Sequence, residues 1–318
     1  MEYITMAHSD LRVSRICMGG CPMGGYGWGK VSERDLKEAV HAALDNGVNF
    51  FDTADTYGLG KSEEILGDAL KGMRSSAIIA TKFGVRVING KTIYDNSPSW
   101  IVKAVQASLK RLGTDYIDLY QIHYRDGKTP LDDVLETLEN LKHKGYIRYF
   151  GLSNIKIEEL DELRQCAGRF VSVQEEYSLA CRKNEYILTE LADEIGLTPL
   201  TWGSLGHGVL TGKYDIQSTF GADDRRSREV YVNFHGEKLK KNLEIVEVMR
   251  GISRDNGKSL PAIAIRFIMD RIKNSIALVG VKSSDQLRSN IEAIGWYLTQ
   301  RQMEDLSRVS EDSRGDAV

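Results

Sequence analysis

The sequence predicts a (β/α)8 barrel: a closed ring of eight parallel strands with helices outside it. Three observations carry this. Short β-rich runs alternate with amphipathic helical runs eight times along 318 residues. Several of those runs are nearly all apolar, as parallel strands covered on both faces must be. Glycines mark the return from helix to strand at Gly47, Gly113, Gly145 and Gly196, where a left-handed position after a helix suits them. Eight such units fit one barrel domain spanning 1–318 better than two open sheets. The doubly wound alternative lacks a G-x-G-x-x-G turn after the first strand.

In chain order, the strands are expected at 15–18, 48–52, 77–81, 117–122, 149–152, 171–174, 198–201 and 276–279. Helical periodicity fills 33–46, 99–112, 131–144 and 157–166. Pro98 and Pro130 stand where a first helical turn begins. Residues 4–13 precede the first barrel strand and suit a hairpin that closes the barrel bottom. After the seventh strand a long insertion, 210–257, starts as a charged loop and ends as an amphipathic helix at 237–254. One more short helix is expected after Thr299.

Composition excludes several function classes. Apolar residues make up 42% of the chain and charged residues 27%, the balance of a soluble globular protein. A net charge of -3 argues against nucleic acid as the main partner, since such a binder presents a basic face. No apolar run approaches the roughly 20 residues that span a bilayer. The opening MEYITMAHSD has neither the basic nor the apolar region of a signal peptide. Cys17, Cys21, Cys166 and Cys181 lack metal-ligand spacing, so no metal site is expected. Cys17 and Cys21 would pair only in an oxidising compartment; reduced thiols in the cytoplasm are the expectation.

The stretch FFDTADTYGLGKSEEILGDAL ends an apolar run on Asp52 and places Tyr57 five residues on. In this fold catalysis sits at the C-terminal ends of the strands. Those ends supply Asp52 with Tyr57, then Lys82, His123, Ser153 with Asn154, Gln174 and Trp202. Singly, each has an ordinary role: Asp52 as a turn cap, Lys82 as a solvated rim lysine, His123 as a core histidine. Together they do not, because desolvated charges rarely stabilise a barrel rim unless paired. The set suits proton delivery to a carbonyl. Tyr57 is a weak acid, and a nearby ammonium, Lys82, would lower its pKa. Asp52 would hold Lys82 in place, and His123 would orient the carbonyl oxygen. A hydride donor must reach the carbonyl carbon, which implies a nicotinamide. Asn154 and Gln174 would hold its carboxamide, and Trp202 would stack on the ring.

The ordered motifs FFDTADTYG, ATKFG, DLYQIH, GYIRYFGLSN, LTGKY and GVKSSDQLRSN resemble the aldo-keto reductase family over nearly the whole chain. The resemblance implies a catalytic tetrad of Asp52, Tyr57, Lys82 and His123, with Tyr57 as proton donor. It implies NADP(H) extended across the barrel mouth, with Gly20, Gly203, Ser204, Leu205, Gly208 and Gly280 added to the cofactor set. Gly212 and Lys213 fall where pyrophosphate would lie, and Arg226 resembles the family's phosphate clamp. Lys282, Ser283 and Arg288 are spaced to surround a 2′-phosphate, with Gln286 and Asn290 near the adenine; two cations and a hydroxyl suit that dianion.

Two departures stand out. Where members often read Tyr-Ser-Pro-Leu, this chain has Trp202, Gly203, Ser204 and Leu205, which keeps a stacking ring and loses a proline constraint. Where members often read His-Trp-Pro-Asp, it has His123, Tyr124, Arg125 and Asp126, which alters the substrate side. Tyr26, Trp28, Tyr57, His123 and Tyr124 are the expected substrate walls, and Arg125 reads as a surface charge. The leading expectation is an NADPH-dependent reductase of aldehydes, ketones or sugar-like compounds. The alternatives are a class I aldolase-like barrel using Lys82 as a Schiff-base nucleophile, and a non-enzymatic NADP(H)-sensing subunit. Nothing in the sequence marks an oligomer interface.

Overall fold

A computed structural model describes residues 1–25, 27–29 and 31–315. The chain opens with β1 (Tyr3–Thr5) and β2 (Arg12–Ser14), an antiparallel pair with Ile4 opposite Val13. The barrel follows: β3 (Ile16–Gly19), α1 (Glu33–Asp45), β4 (Phe50–Asp52), α2 (Lys61–Ala69) and β5 (Ile78–Phe83). A second hairpin, β6 (Val85–Ile88) and β7 (Lys91–Tyr94), leads into α3 (Pro98–Leu112) and β8 (Ile117–Ile122). Next come α4 (Leu131–His143), β9 (Ile147–Ser153), α5 (Leu160–Gln165), β10 (Ser172–Glu176), α6 (Ala192–Ile195) and β11 (Thr198–Trp202). The chain ends through α7 (Gly236–Asn256), α8 (Leu260–Arg271), β12 (Ile276–Gly280), α9 (Ser284–Ile291) and α10 (Gln300–Val309).

Strands β3, β4, β5, β8, β9, β10, β11 and β12 form a closed ring, and every neighbouring pair is parallel. The ring closes where Ile16 of β3 pairs with Ala277 of β12. Two apolar layers hold it. Inside the ring, Cys17, Phe50, Ala80, Leu119, Leu200 and Ile276 pack with Met6, Leu11 and Val13 from the first hairpin. That hairpin is therefore the plug the sequence suggests at 4–13. Outside, helix faces such as Leu36, Ala39, Val40 and Ala43 of α1 bury against the strands. Their spacing of three and four residues is one helical stripe, and Ser32 caps the helix by accepting the Asp35 N–H.

Three details differ from the sequence reading. The run 157–166 is broken into a 3-10 turn at Ile157–Glu159 and the short α5. Pro130 stands just before α4 as its capping residue, outside the first turn. The hairpin β6–β7 was not expected, although Asn89–Gly90 takes positive φ at both positions (50° and 75°), as the two-residue turn of a tight hairpin requires. Among the described residues no helix is long and apolar enough to cross a membrane.

Candidate active site

The strand register brings the candidate residues to one mouth. Asp52 ends β4 and pairs with Ala80, so Lys82, two residues further along β5, faces the same side one layer higher. Lys82 Nζ donates to Asp52 Oδ1 at 2.5 Å and to the Thr53 carbonyl at 2.9 Å. The other carboxylate oxygen of Asp52 accepts from Gln121 Nε2 at 3.0 Å and from Gln174 Nε2 at 2.9 Å. Both charges are buried and every oxygen is used, which is the condition under which a buried ion pair is tolerated.

Tyr57 lies over this pair: Lys82 Nζ is 5.2 Å from the centre of its ring, and the His123 ring meets it edge-on at 6.1 Å. Sequence reasoning expected the ammonium to lower the Tyr57 pKa. The direction is the opposite. Burial, followed by the Cys21, Asp52 and Tyr124 groups, holds the phenol well above its ordinary range. Burial, then the Lys82 charge, holds His123 well below the ordinary histidine range. Tyr57 is thus a neutral phenol beside a neutral imidazole, whose buried Nδ1 has no partner among the described residues.

These groups open on a cavity of about 760 Å³ that runs along the barrel mouth. Its lining includes Gly20, Asp52, Tyr57, His123, Tyr124, Ser153, Asn154, Gln174 and Trp202. It continues through Gly203, Ser204, Leu205, Gly208, Lys213, Arg226, Gly280, Lys282, Gln286 and Asn290. Asn154, at φ 53°, accepts the Trp202 indole N–H at 3.2 Å and donates to the His123 carbonyl at 3.0 Å. Trp202 is thereby fixed with its ring at the wall. The Gln174 amide nitrogen is committed to Asp52 and, at 3.1 Å, to Gln121 Oε1.

At the far end cations gather. Lys282 is lowered by burial and then by the charges of Arg226 and Lys213. Arg226 is held by Asp224 and the Tyr214 hydroxyl, with the Phe220 ring 4.8 Å from its guanidinium. Three cations that repel one another at one end of an elongated cavity make a site for a polyanion. Such a cavity, with an aromatic wall at the opposite end, fits a phosphorylated dinucleotide.

Some expected residues lie off the lining. Lys82 sits behind Asp52, 1% exposed. Gly212 packs against Leu260 and Arg250. The Ser283 hydroxyl caps α9 by accepting the Gln286 N–H at 3.4 Å. Arg288 is at the rim, 63% exposed, paired at 2.7 Å with Asp285, which does line the cavity. Tyr26 lies outside the described residues. Trp28 is on the lining and stacks at 6.0 Å on His207. Arg125 pairs with Glu162 at 3.1 Å away from the lining.

Sequence reasoning missed Cys21, His207, Arg225, Tyr231 and the start of α8, Leu260 and Pro261 with their cap Ser259, all on the lining. His207, at φ 57° between Gly206 and Gly208, had a signal in the glycines around it. Arg225 and Tyr231 had none, since the insertion carries no strand register to place them. Among the described residues no group of three or more His, Cys, Asp or Glu side chains could hold a metal ion.

The model of the Aldo/keto reductase family matches residues 15–311. The aldo-keto reductase YhdN of Bacillus subtilis is 36% identical over 321 residues, covering 100% of this chain and 96% of that protein. A probable voltage-gated potassium channel subunit beta of Oryza sativa is 32% identical, over 92% of this chain and 91% of its own. Among solved structures, the glycerol dehydrogenase AKR11B4 from Gluconobacter oxydans superposes with a TM-score of 0.88 at 33% identity, over 99% of this chain and 96% of that one. A closed parallel barrel, a phenol above a buried Lys–Asp pair at its mouth, and a family match along nearly the whole chain lead to one conclusion: the protein belongs to the aldo-keto reductase family of nicotinamide-dependent oxidoreductases.

Proposed function

We propose that the protein uses NADPH to reduce an aldehyde, ketone or sugar-like carbonyl to an alcohol, with Tyr57 as the proton donor. One arrangement carries the reading. The Lys82–Asp52 pair lies beneath Tyr57 and beside His123, on the same cavity whose far end collects Lys213, Arg226 and Lys282. The neutral phenol holds the proton a forming alkoxide needs. Neutral His123 offers a hydrogen bond that orients the carbonyl oxygen without competing for that proton. Trp202, Ser153, Asn154 and Gln174 line the end assigned to the nicotinamide, and Gly20, Gly203, Ser204, Leu205, Gly208 and Gly280 line its path. A nicotinamide bound there supplies the hydride. Trp28 and Tyr124 wall the substrate side.

NADPH over NADH is assigned to Lys282 with Arg288. The Arg288–Asp285 pair is exposed on both sides, and such pairs are worth about 0–1 kcal/mol, so a 2′-phosphate dianion outcompetes Asp285. The chain 1–318 is read as a single barrel domain acting in the cytoplasm. Lys82 gives no support to an aldolase: its Nζ donates to Asp52 and Thr53 in a sealed site, with no free nucleophilic face. The second reading is the cofactor-sensing subunit, favoured by the likeness to the Oryza sativa channel subunit.

Titration with NADPH and NADH, followed by tryptophan fluorescence, tests the cofactor assignment, and an aldehyde screen with the preferred cofactor tests the reaction. Tight NADPH binding with turnover supports the reductase. Tight binding with negligible turnover and a stable partner supports the sensing subunit. A folded protein that binds neither cofactor sinks both.

A further inference from the structure

Behind the Tyr57 turn is a second group of ionisable side chains that the reaction geometry does not use. Asp55 stands two residues before Tyr57, and its Oδ1 is sealed from solvent with no hydrogen-bond donor among the described residues. Glu63 of α2 is fully buried; its Oε1 accepts the Thr81 hydroxyl and its Oε2 accepts Arg111 Nε from α3, each at 2.6 Å. From β8 the buried Tyr120 hydroxyl also lacks a partner among the described residues.

The charges facing Asp55 come from each element around it. Glu63 of α2 opposes its ionisation; Arg111 of α3, the Thr56 N–H and Lys82 of β5 favour it; burial outweighs them all and raises the carboxyl to about 8. Burial and the charges of Asp55 and Glu63 hold the Tyr120 hydroxyl well above its ordinary range. Glu63 has already taken Arg111 Nε and the Thr81 hydroxyl. An ionised Asp55 would be a second carboxylate beside the first, with one oxygen left bare, which is costly in a buried place.

The turn has no slack to absorb a displaced Asp55. Tyr57 N–H donates to Ala54 O at 3.1 Å, and Ser62 N–H donates to Tyr57 O at 3.1 Å. Gly24 presses on the same turn so closely that a Cβ there would come within 2.6 Å of Gly58 N. A shift at Asp55 is therefore passed to Tyr57.

We propose that Asp55 is a positioning residue for Tyr57: its uncharged carboxyl, packed beside the Glu63–Arg111 pair, seats the turn that presents the phenol, and a second carboxylate charge formed there unseats it. The inference rests on the reading of Tyr57 as proton donor. It gives the reaction an alkaline limit that does not come from the phenol.

The test follows NADPH-dependent reduction of 4-nitrobenzaldehyde from neutral to alkaline pH in the wild type, Asp55→Asn and Glu63→Gln, and reads the ratio of alkaline to neutral kcat. In the wild type kcat falls by about tenfold per pH unit above the transition. In Asp55→Asn, which keeps an uncharged isostere, that fall disappears. In Glu63→Gln, which removes the opposing charge, it moves to lower pH. A fall that persists in Asp55→Asn, or stays in place in Glu63→Gln, overturns the proposal, because a merely structural residue would leave the profile unmoved.

The infrared difference spectrum, wild type minus Asp55→Asn, gives a second readout without turnover and cancels the Glu175 carboxyl common to both. It should show the band of a buried carboxylic acid at neutral pH and lose it at alkaline pH. Absence of the band at neutral pH overturns the inference alone. A band that behaves as expected in a protein that reduces no aldehyde fails the reading of Tyr57, and the positioning role falls with it.

Discussion

The Lys82 ammonium donates to Asp52 Oδ1 at 2.5 Å, with neither side chain more than 3% exposed. The pair is a fixed charge distribution under the phenol, and its worth lies in being complete. Lys82→Met leaves the Asp52 carboxylate, among the described residues, with Gln121 and Gln174 as its side-chain donors. Breaking such a pair costs about 3–5 kcal/mol. A chemical-denaturation midpoint should register that loss; an unchanged midpoint would mean that Asp52 finds another cation.

Tyr57→Phe removes the hydroxyl proposed as proton donor and keeps the ring that packs on His123. Carbonyl reduction should drop by about 10²–10⁴-fold in kcat, while the NADPH dissociation constant stays near the wild-type value. Stopped-flow hydride transfer and equilibrium titration, run side by side, separate the two quantities. A variant that keeps its rate removes Tyr57 from the chemistry.

The phosphate end divides by cofactor. On the proposed assignment to the 2′-phosphate, Arg288→Ala and Lys282→Ala would each remove a charge-assisted contact worth about 1.5–3 kcal/mol. NADPH affinity should fall by roughly 10–100-fold for each, with NADH affinity nearly constant. Fluorescence titration of both cofactors reads the contrast, and equal losses for the two would place these residues on the pyrophosphate instead.

Glu175 offers a pH test away from Tyr57. It is buried at the end of β10, where its Oε1 accepts the Ile155 N–H at 2.6 Å, and burial raises its carboxyl to about 8. The folded chain therefore binds this proton more tightly than the unfolded chain. The stability it contributes is full below the ordinary carboxylate range and is lost as pH rises toward about 8. Glu175→Gln should gain thermal stability over the wild type as pH rises through that window, and gain least at acid pH. Melting curves across pH check the sign; a gain confined to acid pH would reverse it.

Much of this was legible in the residues, and the limits have physical causes. Strands such as Ile276–Gly280 are legible as apolar runs, because a strand covered on both faces has little choice of residue. Asp52, Lys82 and His123 followed once the fold class was set, since the mouth of a barrel is the carboxyl end of its strands. The direction of the Tyr57 shift was not legible: a neighbouring ammonium is visible in sequence, while the burial that outweighs it is a property of the assembled wall. Arg225, Tyr231 and His207 reach the cavity from loops whose paths depend on long-range packing. The β6–β7 hairpin has a purely local signal in VRVINGKTIY, an Asn-Gly turn between two strand-forming runs that lies outside the barrel repeat.

The seam of the ring bears on how the chain is made. Every other neighbouring pair in the barrel joins strands that follow one another around the ring in chain order, but β3 waits for β12, and Ile16 finds its partner only when Ala277 exists. During synthesis β3 and the newest strand are open edges, the kind that recruit other chains. The first hairpin cannot rest on a finished floor until the same moment, since its Met6, Leu11 and Val13 pack on Ile276 and Leu278 as well as on earlier strands. The nascent polypeptide must therefore stay soluble with its edges unpaired until nearly all of it has left the ribosome. A chain stalled before β12 should need a chaperone, and its aggregation should be relieved by supplying the missing C-terminal segment in trans.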